Sequence, residues 1–113
     1  MNMRNLRTLP FASALILYSL SATAGELEVG QKNKTFVQNE QKVETIRIKV
    51  GDTIHFRNHD PFFHNVFSLS ESQTFDLGSY PAGTAKSVRF EKAGSIEVEC
   101  AIHPQMLMTI EVK

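Results

Sequence analysis

Residues able to bind a transition metal occur in two segments of the chain. Cys100, His103 and Met106 are spaced three residues apart, and His64 lies upstream beside Asn65. One thiolate, two imidazoles and a weakly bound thioether are the ligands of blue-copper electron-transfer sites. The thiolate suits Cu(I) and the imidazoles suit both oxidation states, so the set favours a copper ion that changes charge with little rearrangement. We therefore predict one type 1 copper ion, held by these four side chains.

Taken singly, each of these residues has an ordinary explanation. Cys100 is the only cysteine of the chain, and a lone cysteine is more often a buried apolar residue. His103 alone would be an exposed loop histidine, and Met106 alone would fill the core. Their combination in Cys-x-x-His-x-x-Met makes a shared metal the better interpretation. Zinc also binds cysteine and histidine, but the methionine argues against zinc.

The upstream ligand must be chosen among three histidines. His55 alternates with Thr53 and Arg57, so we expect it on a solvent-facing side of a strand. His59 lies in a turn-like segment before Pro61. We favour His64, because Asn65 next to it can hydrogen-bond to the cysteine loop and tie the two ligand segments together.

The axial ligand is a choice between Met106 and Met108. Met108 shares the side of an extended chain with Ile110 and Val112, which predicts that it faces the core. Met106 lies nearer the loop that holds Cys100 and His103, so we expect Met106 to be the axial ligand, with Met108 beneath the site.

The first residues have the pattern of an export signal. Arg4 and Arg7 precede a short apolar run over residues 11–20, and Ala22-Thr23-Ala24 fits the small-x-small cleavage rule. A retained membrane anchor is the alternative, but the apolar run is too short to span a bilayer. We expect a cleaved signal peptide over residues 1–24, a single domain over residues 25–113, a periplasmic location, and no membrane attachment after cleavage.

Charge and length limit the classes of function. The chain has 113 residues, with 12 basic and 12 acidic residues. Without Arg4 and Arg7, ten basic residues remain against twelve acidic ones, a net charge of −2. The basic residues are scattered and form no stripe, which excludes a nucleic-acid-binding protein.

Short segments of alternating apolar and polar residues predict β-strands. Turn signals at Gly51-Asp52 and at Gly94 separate several of them. The segments are 46–50, 53–58, 65–69, 87–90, 95–100 and 109–112. No segment has a sustained helical period, although one helical turn is allowed between Ser70 and Tyr80. The pattern predicts an all-β sandwich or barrel.

These segments together resemble the cupredoxins of the plastocyanin/azurin family. The resemblance runs through Val50–Phe56, Asn58–Asp60, His64–Val66, Phe90–Gly94 and Cys100–Met106. The short ligand loop with Pro104 resembles the amicyanin branch, whose small relatives include methylamine-utilisation proteins. The resemblance implies an antiparallel Greek-key sandwich with one type 1 copper, in which His64, Cys100 and His103 match the equatorial ligands and Met106 the axial one. Longer-loop relatives have the methionine five residues after the histidine, where this chain has Met108.

The expected function is one-electron transport between redox proteins. We expect the protein to be a monomer, not an enzyme, that binds its donor and acceptor weakly. Pro104, with Pro61, Phe62 and Phe63, could form an apolar docking patch around His103, unless the two phenylalanines belong to the core. A copper-delivery protein is the alternative function. A thiol enzyme using Cys100 ranks last, because it lacks an orienting partner and leaves Met106 unexplained.

Overall fold

The computed structural model describes residues 23–113, so most of the expected signal peptide lies outside the described residues. This part of the chain contains ten β-strands and no helix. The strands are β1 (Glu26–Gln31), β2 (Phe36–Gln38), β3 (Gln41–Lys42), β4 (Thr45–Ile48), β5 (Thr53–Asn58), β6 (Phe67–Ser68), β7 (Phe75–Asp76), β8 (Ala85–Arg89), β9 (Gly94–Glu99) and β10 (Leu107–Val112). No helix among residues 23–113 has the length and apolar character needed to cross a membrane.

The strands form two five-stranded sheets. The first sheet has the order β3-β2-β1-β5-β8, and the second has the order β4-β10-β9-β6-β7. Most neighbouring strands are antiparallel, but β1 pairs with β5 and β4 pairs with β10 in parallel. The expected all-β sandwich is confirmed, whereas its expected antiparallel pairing holds for only part of each sheet.

The hydrophobic core consists of one face from each sheet. Burial alternates along β5 and β10, as period-2 segments require, so that Ile54 and Phe56 from the first sheet and Met108 and Ile110 from the second are buried. Burying one such side chain stabilises the fold by about 1.5–3 kcal/mol. Gly51 lies in the tight turn between β4 and β5. Its φ of 96° is a backbone angle that residues with a side chain rarely adopt.

The segment between Ser70 and Tyr80 contains a turn and the short strand β7 instead of a helical turn. The Gln73 N–H donates to the Ser70 carbonyl at 3.2 Å, and the Thr74 hydroxyl donates to the same oxygen at 3.0 Å. Tyr80 then returns to the sandwich through a bridge with His64. This bridge brings a histidine from one loop to the end of the molecule where β5 ends and β10 begins.

Candidate metal centre

Three donor atoms converge at one end of the sandwich. The Cys100 Sγ lies 3.6 Å from the His64 Nδ1 and 3.7 Å from the His103 Nδ1, and the two nitrogens are 3.2 Å apart. The centre of this triangle is about 2 Å from each atom, close to the 2.0–2.3 Å of metal–nitrogen and metal–sulfur bonds in zinc sites. The donors therefore surround a space of the size that a first-row metal ion requires.

The loop after β9 supplies two of these donors. Cys100 follows the last residue of β9 and is buried, because the alternation of that strand continues through it. Two successive turns then fold the loop: the His103 N–H donates to the Cys100 carbonyl at 3.2 Å, and the Met106 N–H donates to the His103 carbonyl at 2.9 Å. These turns keep His103 beside the thiol before β10 begins.

His64 reaches the cluster from the loop after β5. Its backbone is paired with Tyr80 in both directions, with N–H···O distances of 3.2 and 2.8 Å. Its side chain is fully buried, with Nδ1 facing the thiol and Nε2 lying 2.7 Å from the Asp60 Oδ2. The ring is thus held at both nitrogens.

Asp60 is a buried carboxylate with three partners. Besides His64, it accepts the N–H groups of Asn33 at 2.6 Å and Lys34 at 2.9 Å, both in the turn between β1 and β2. Burial raises the pKa of Asp60, but the hydrogen bonds from Lys34, His64 and Asn33 outweigh it, so the pKa lies below its ordinary value. The carboxylate is therefore ionised at neutral pH.

Asn58 holds the loop that presents Asp60 and His64. Its Oδ1 accepts the Asp60 N–H at 2.8 Å, and its Nδ2 donates to the Phe62 carbonyl at 2.7 Å. Asp60 was not among the predicted site residues, since Asn58-His59-Asp60-Pro61 has the composition of a surface turn. The only local signal was the four-residue spacing between Asp60 and His64.

Asn65 ties the two ligand segments together, as predicted. Its Oδ1 accepts the Ala101 N–H at 2.7 Å, directly after the cysteine. Its carbonyl accepts the Gln31 Nε2–H at 3.2 Å, and the Gln31 Oε1 accepts the Tyr80 hydroxyl. Burial, and then the nearby Cys100 thiol, raise the pKa of Tyr80, so its hydroxyl stays protonated and donates. A buried polar chain thus supports the cysteine loop from behind.

The other two histidines lie outside the cluster. His59 is exposed, and its ring packs near Gly30. His55 is half-buried on β5 and hydrogen-bonds to Ser87 across the sheet. Among residues 23–113, the group of metal-binding side chains contains His64, Cys100 and His103.

Both methionines are buried and belong to the core cluster, but only Met108 lies within a strand. Met108 belongs to β10 and to the core cluster, on the same face as Ile110 and Val112, which confirms its predicted core position. Met106 is also buried and directly precedes β10, at the end of the turn that starts at His103. Its role as the axial ligand stays a prediction.

His103 marks the point where the cluster approaches the surface. Its ring is half-buried and lies 5.2 Å from the Phe62 ring and 4.8 Å from the His64 ring. Burial lowers the pKa of His103, and its neighbours His64 and Lys34 lower it further. The imidazole is therefore in its neutral, metal-binding form at neutral pH.

An apolar surface adjoins His103, which we call the His103 patch. Phe63 and Ile102 are 55% and 49% exposed, so Phe63 is not part of the core. Phe62 is half-buried against both histidine rings, with centroids 5.2 Å away in each case. The patch consists of Pro61, Phe62, Phe63, Ile102 and Pro104. Ile102 was not among its predicted members.

Comparisons with known proteins agree with this geometry. The family model for copper binding proteins of the plastocyanin/azurin family matches residues 25–113. The chain is 35% identical over 106 residues to the methylamine utilization protein MauL of Methylorubrum extorquens, covering 93% of this chain and 89% of MauL.

Solved structures share the fold. The Cu(I) form of a methionine-to-alanine variant of amicyanin matches with a TM-score of 0.68 at 21% identity, covering 78% of this chain and 82% of amicyanin. A purple cupredoxin from Nitrosopumilus maritimus matches with a TM-score of 0.64 at 21% identity, covering 77% of this chain and 99% of that protein. These matches confirm a cupredoxin fold.

Proposed function

The chain belongs to the plastocyanin/azurin family of copper-binding proteins, and on this premise we propose that it is a periplasmic type 1 copper protein that carries single electrons between redox proteins. We assign His64, Cys100 and His103 as the equatorial ligands and Met106 as the axial ligand. The observation that carries the proposal is the convergence of one thiol and two imidazoles, with donor atoms 3.2–3.7 Å apart.

The protein's part in electron transfer is to hold these donors still. A copper ion held by these donors would supply the redox chemistry, the gain and loss of one electron between Cu(II) and Cu(I). Asp60 fixes the ring of His64, and Asn65 fixes the backbone after Cys100. Because the bond to Asp60 is buried and the bond to Asn65 joins segments 36 residues apart, the donor atoms keep their places when the charge of the centre changes.

The His103 patch supports a route for the electron to and from partners. His103 is the least buried of the four proposed ligands, and the exposed apolar residues Phe63 and Ile102 lie in the segments that flank it. A small apolar surface of this kind suits weak, short-lived docking of a donor or an acceptor. We propose that the protein acts as a monomer and presents this patch to each partner in turn.

The burial of the ligands favours a carrier over a delivery protein or an enzyme. His64, Cys100 and Met106 are each at most 1% exposed. Handing copper to another protein requires an incoming ligand to reach the metal, and catalysis requires a substrate to do so. Among the proposed ligands, only the edge of His103 is accessible. An electron can be transferred through this edge, whereas an incoming ligand or a substrate has no path to the metal.

The hydrogen bonds made by Gly25 support cleavage before this residue. The Gly25 N–H donates to the Asp52 Oδ1 at 2.7 Å, and the Gly25 carbonyl accepts the Thr53 N–H at 3.0 Å. We propose that residues 1–24 are removed as a signal peptide and that the domain begins at Gly25. Its new amino group would then carry a positive charge beside Asp52.

Adding Cu(II) to metal-free protein of residues 25–113 tests the function. We expect an intense blue absorption from thiolate-to-copper charge transfer, and a reversible one-electron wave in voltammetry. Cys100→Ser should abolish the colour, because only the thiolate supplies that transition. A Cys100→Ser protein that stays blue would overturn the site. A chelator that removes copper from the wild-type protein within seconds would favour copper delivery instead.

A further inference from the structure

We propose that Asp60 is a positioning residue that sets the reduction potential of the copper by holding His64 and stabilising the Cu(II) state. The proposal rests on the copper site proposed above and goes beyond it, since Asp60 touches no metal. Asp60 is a buried carboxylate whose backbone partners lie 26–27 residues away in sequence, and we infer that it affects the redox equilibrium.

The hydrogen bond determines which nitrogen of His64 can bind a metal. An ionised carboxylate only accepts hydrogen bonds, so the Nε2 of His64, 2.7 Å from the Asp60 Oδ2, must carry the proton. The lone pair available to a metal is then on Nδ1, the nitrogen that faces the Cys100 thiol. Asp60 thus selects the metal-binding tautomer before any metal arrives.

The negative charge of Asp60 determines that it lowers the reduction potential and does not raise it. The two backbone N–H groups from Asn33 and Lys34 keep the carboxylate negative although it is buried. A fixed negative charge in a poorly screened environment stabilises Cu(II) more than Cu(I), because Cu(II) carries the larger positive charge. It also makes the imidazole a stronger donor. Both effects lower the reduction potential. The exposed Lys34 ammonium lies 5.5 Å from the centre of the Phe62 ring, where water screens its opposing charge.

A purely structural role is the competing explanation, because Asp60 also fastens the turn between β1 and β2. The chain contains a matched control in Asp52. Asp52 also accepts two backbone N–H groups, from Gly25 at 2.7 Å and Lys49 at 2.8 Å. It lies before β5, whereas Asp60 lies beyond the other end of that strand, so only Asp60 is next to the cluster.

The test compares Asp60→Asn with Asp52→Asn in copper-loaded protein. Removing a partner of a metal-bound histidine typically costs 10–100-fold in metal affinity. We expect Asp60→Asn to lose at least about tenfold in Cu(II) affinity relative to Cu(I), which raises the potential by about 59 mV per tenfold. Asp52→Asn should lower stability and leave the potential unchanged. Equal potentials for Asp60→Asn and the wild type, or equal shifts in both variants, would overturn the proposal.

A second measurement needs neither copper nor a variant. Nitrogen-15 NMR of the metal-free wild-type protein reports which nitrogen of each histidine carries the proton. We expect His64 to be protonated at Nε2, whereas a ring protonated at Nδ1 alone would overturn the inference even if Asp60→Asn does not fold. A wild-type protein that binds no copper but has His64 in this tautomer would instead refute the proposed function and leave the role of Asp60 in orienting the ring intact.

Discussion

The two imidazoles of the cluster are held in opposite ways. His64 is fully buried, its backbone is bridged to Tyr80, and its outer nitrogen is bonded to Asp60. His103 is half-buried in a seven-residue loop, and its neighbours on the outer side are apolar residues of the His103 patch. One ligand is therefore part of the framework, and the other is part of the surface.

This difference separates two tasks that a small electron carrier must combine. The metal must be held in a fixed geometry, which requires buried and satisfied polar groups. It must also lie close to a partner, which requires a ligand at the surface. His64 serves the first requirement and His103 the second, so substitutions at the two residues should have different consequences.

The strongest test replaces each histidine with glycine and adds free imidazole. Both variants should lose the blue absorption. Imidazole should restore it in His103→Gly, because the space left there opens to solvent. It should not restore it in His64→Gly, whose space is enclosed by Asp60, Phe62 and Tyr80. Absorption spectra during an imidazole titration provide the measurement.

His59→Gly is the control for this pair, since His59 is an exposed histidine of the same loop as His64. Its spectrum should match that of the wild type. Equal recovery of both glycine variants would show that the two histidines are not held differently, and loss of colour in His59→Gly would move the upstream ligand to that residue.

A smaller effect is expected from the two methionines. Met106→Leu should keep a blue site but raise its reduction potential, because the lost thioether donates weakly to Cu(II). Met108→Leu conserves volume and should cost under about 1.5 kcal/mol of stability, with almost no change in potential. Voltammetry of both variants decides the axial ligand. A large shift in the Met108 variant alone would place the ligand two residues further along the chain.

The smallest effect concerns docking. Phe63→Ser should slow electron self-exchange between two copies of the protein by about tenfold, the equivalent of about 1.4 kcal/mol. Its potential should not change, because Phe63 is more than half exposed. NMR line broadening in mixtures of Cu(I) and Cu(II) protein measures this rate. Leu69→Ser, which removes an exposed apolar residue beyond β6, is the control. Equal slowing by both variants would exclude a docking role for the His103 patch.

Sequence reasoning succeeded where the signal was local. The alternation in Thr53–Asn58 predicted β5 at its observed bounds, and the spacing of Cys100 and His103 marked a loop whose thiol and imidazole lie 3.7 Å apart. The link from Asn65 to the cysteine loop could also be predicted, because an asparagine beside a ligand can hydrogen-bond to the other ligand segment.

Sequence reasoning failed where hydrogen-bond partners are distant in sequence, and where the alternation pattern does not show whether two strands run parallel or antiparallel. Asp60 was taken for part of a surface turn, because its partners Asn33 and Lys34 lie in another hairpin. The parallel pairs of β1 with β5 and of β4 with β10 were also missed, since alternation predicts which face is buried but not which way a neighbour runs. Strand β1 was not predicted, because its buried end includes the polar residue Gln31. The burial of Gln31 is explained only by its hydrogen bonds to Asn65 and Tyr80.

Phe62 connects the surface to the centre in a way that restricts how this protein can diverge. Its ring packs against both histidines, and its neighbours in the His103 patch face outward. A substitution at Phe62 that suits a new partner also changes the packing around two metal-binding rings. A descendant that changes its partner through Phe62 would therefore change its driving force for electron transfer as well, whereas Phe63 and Ile102 can vary with the partner alone.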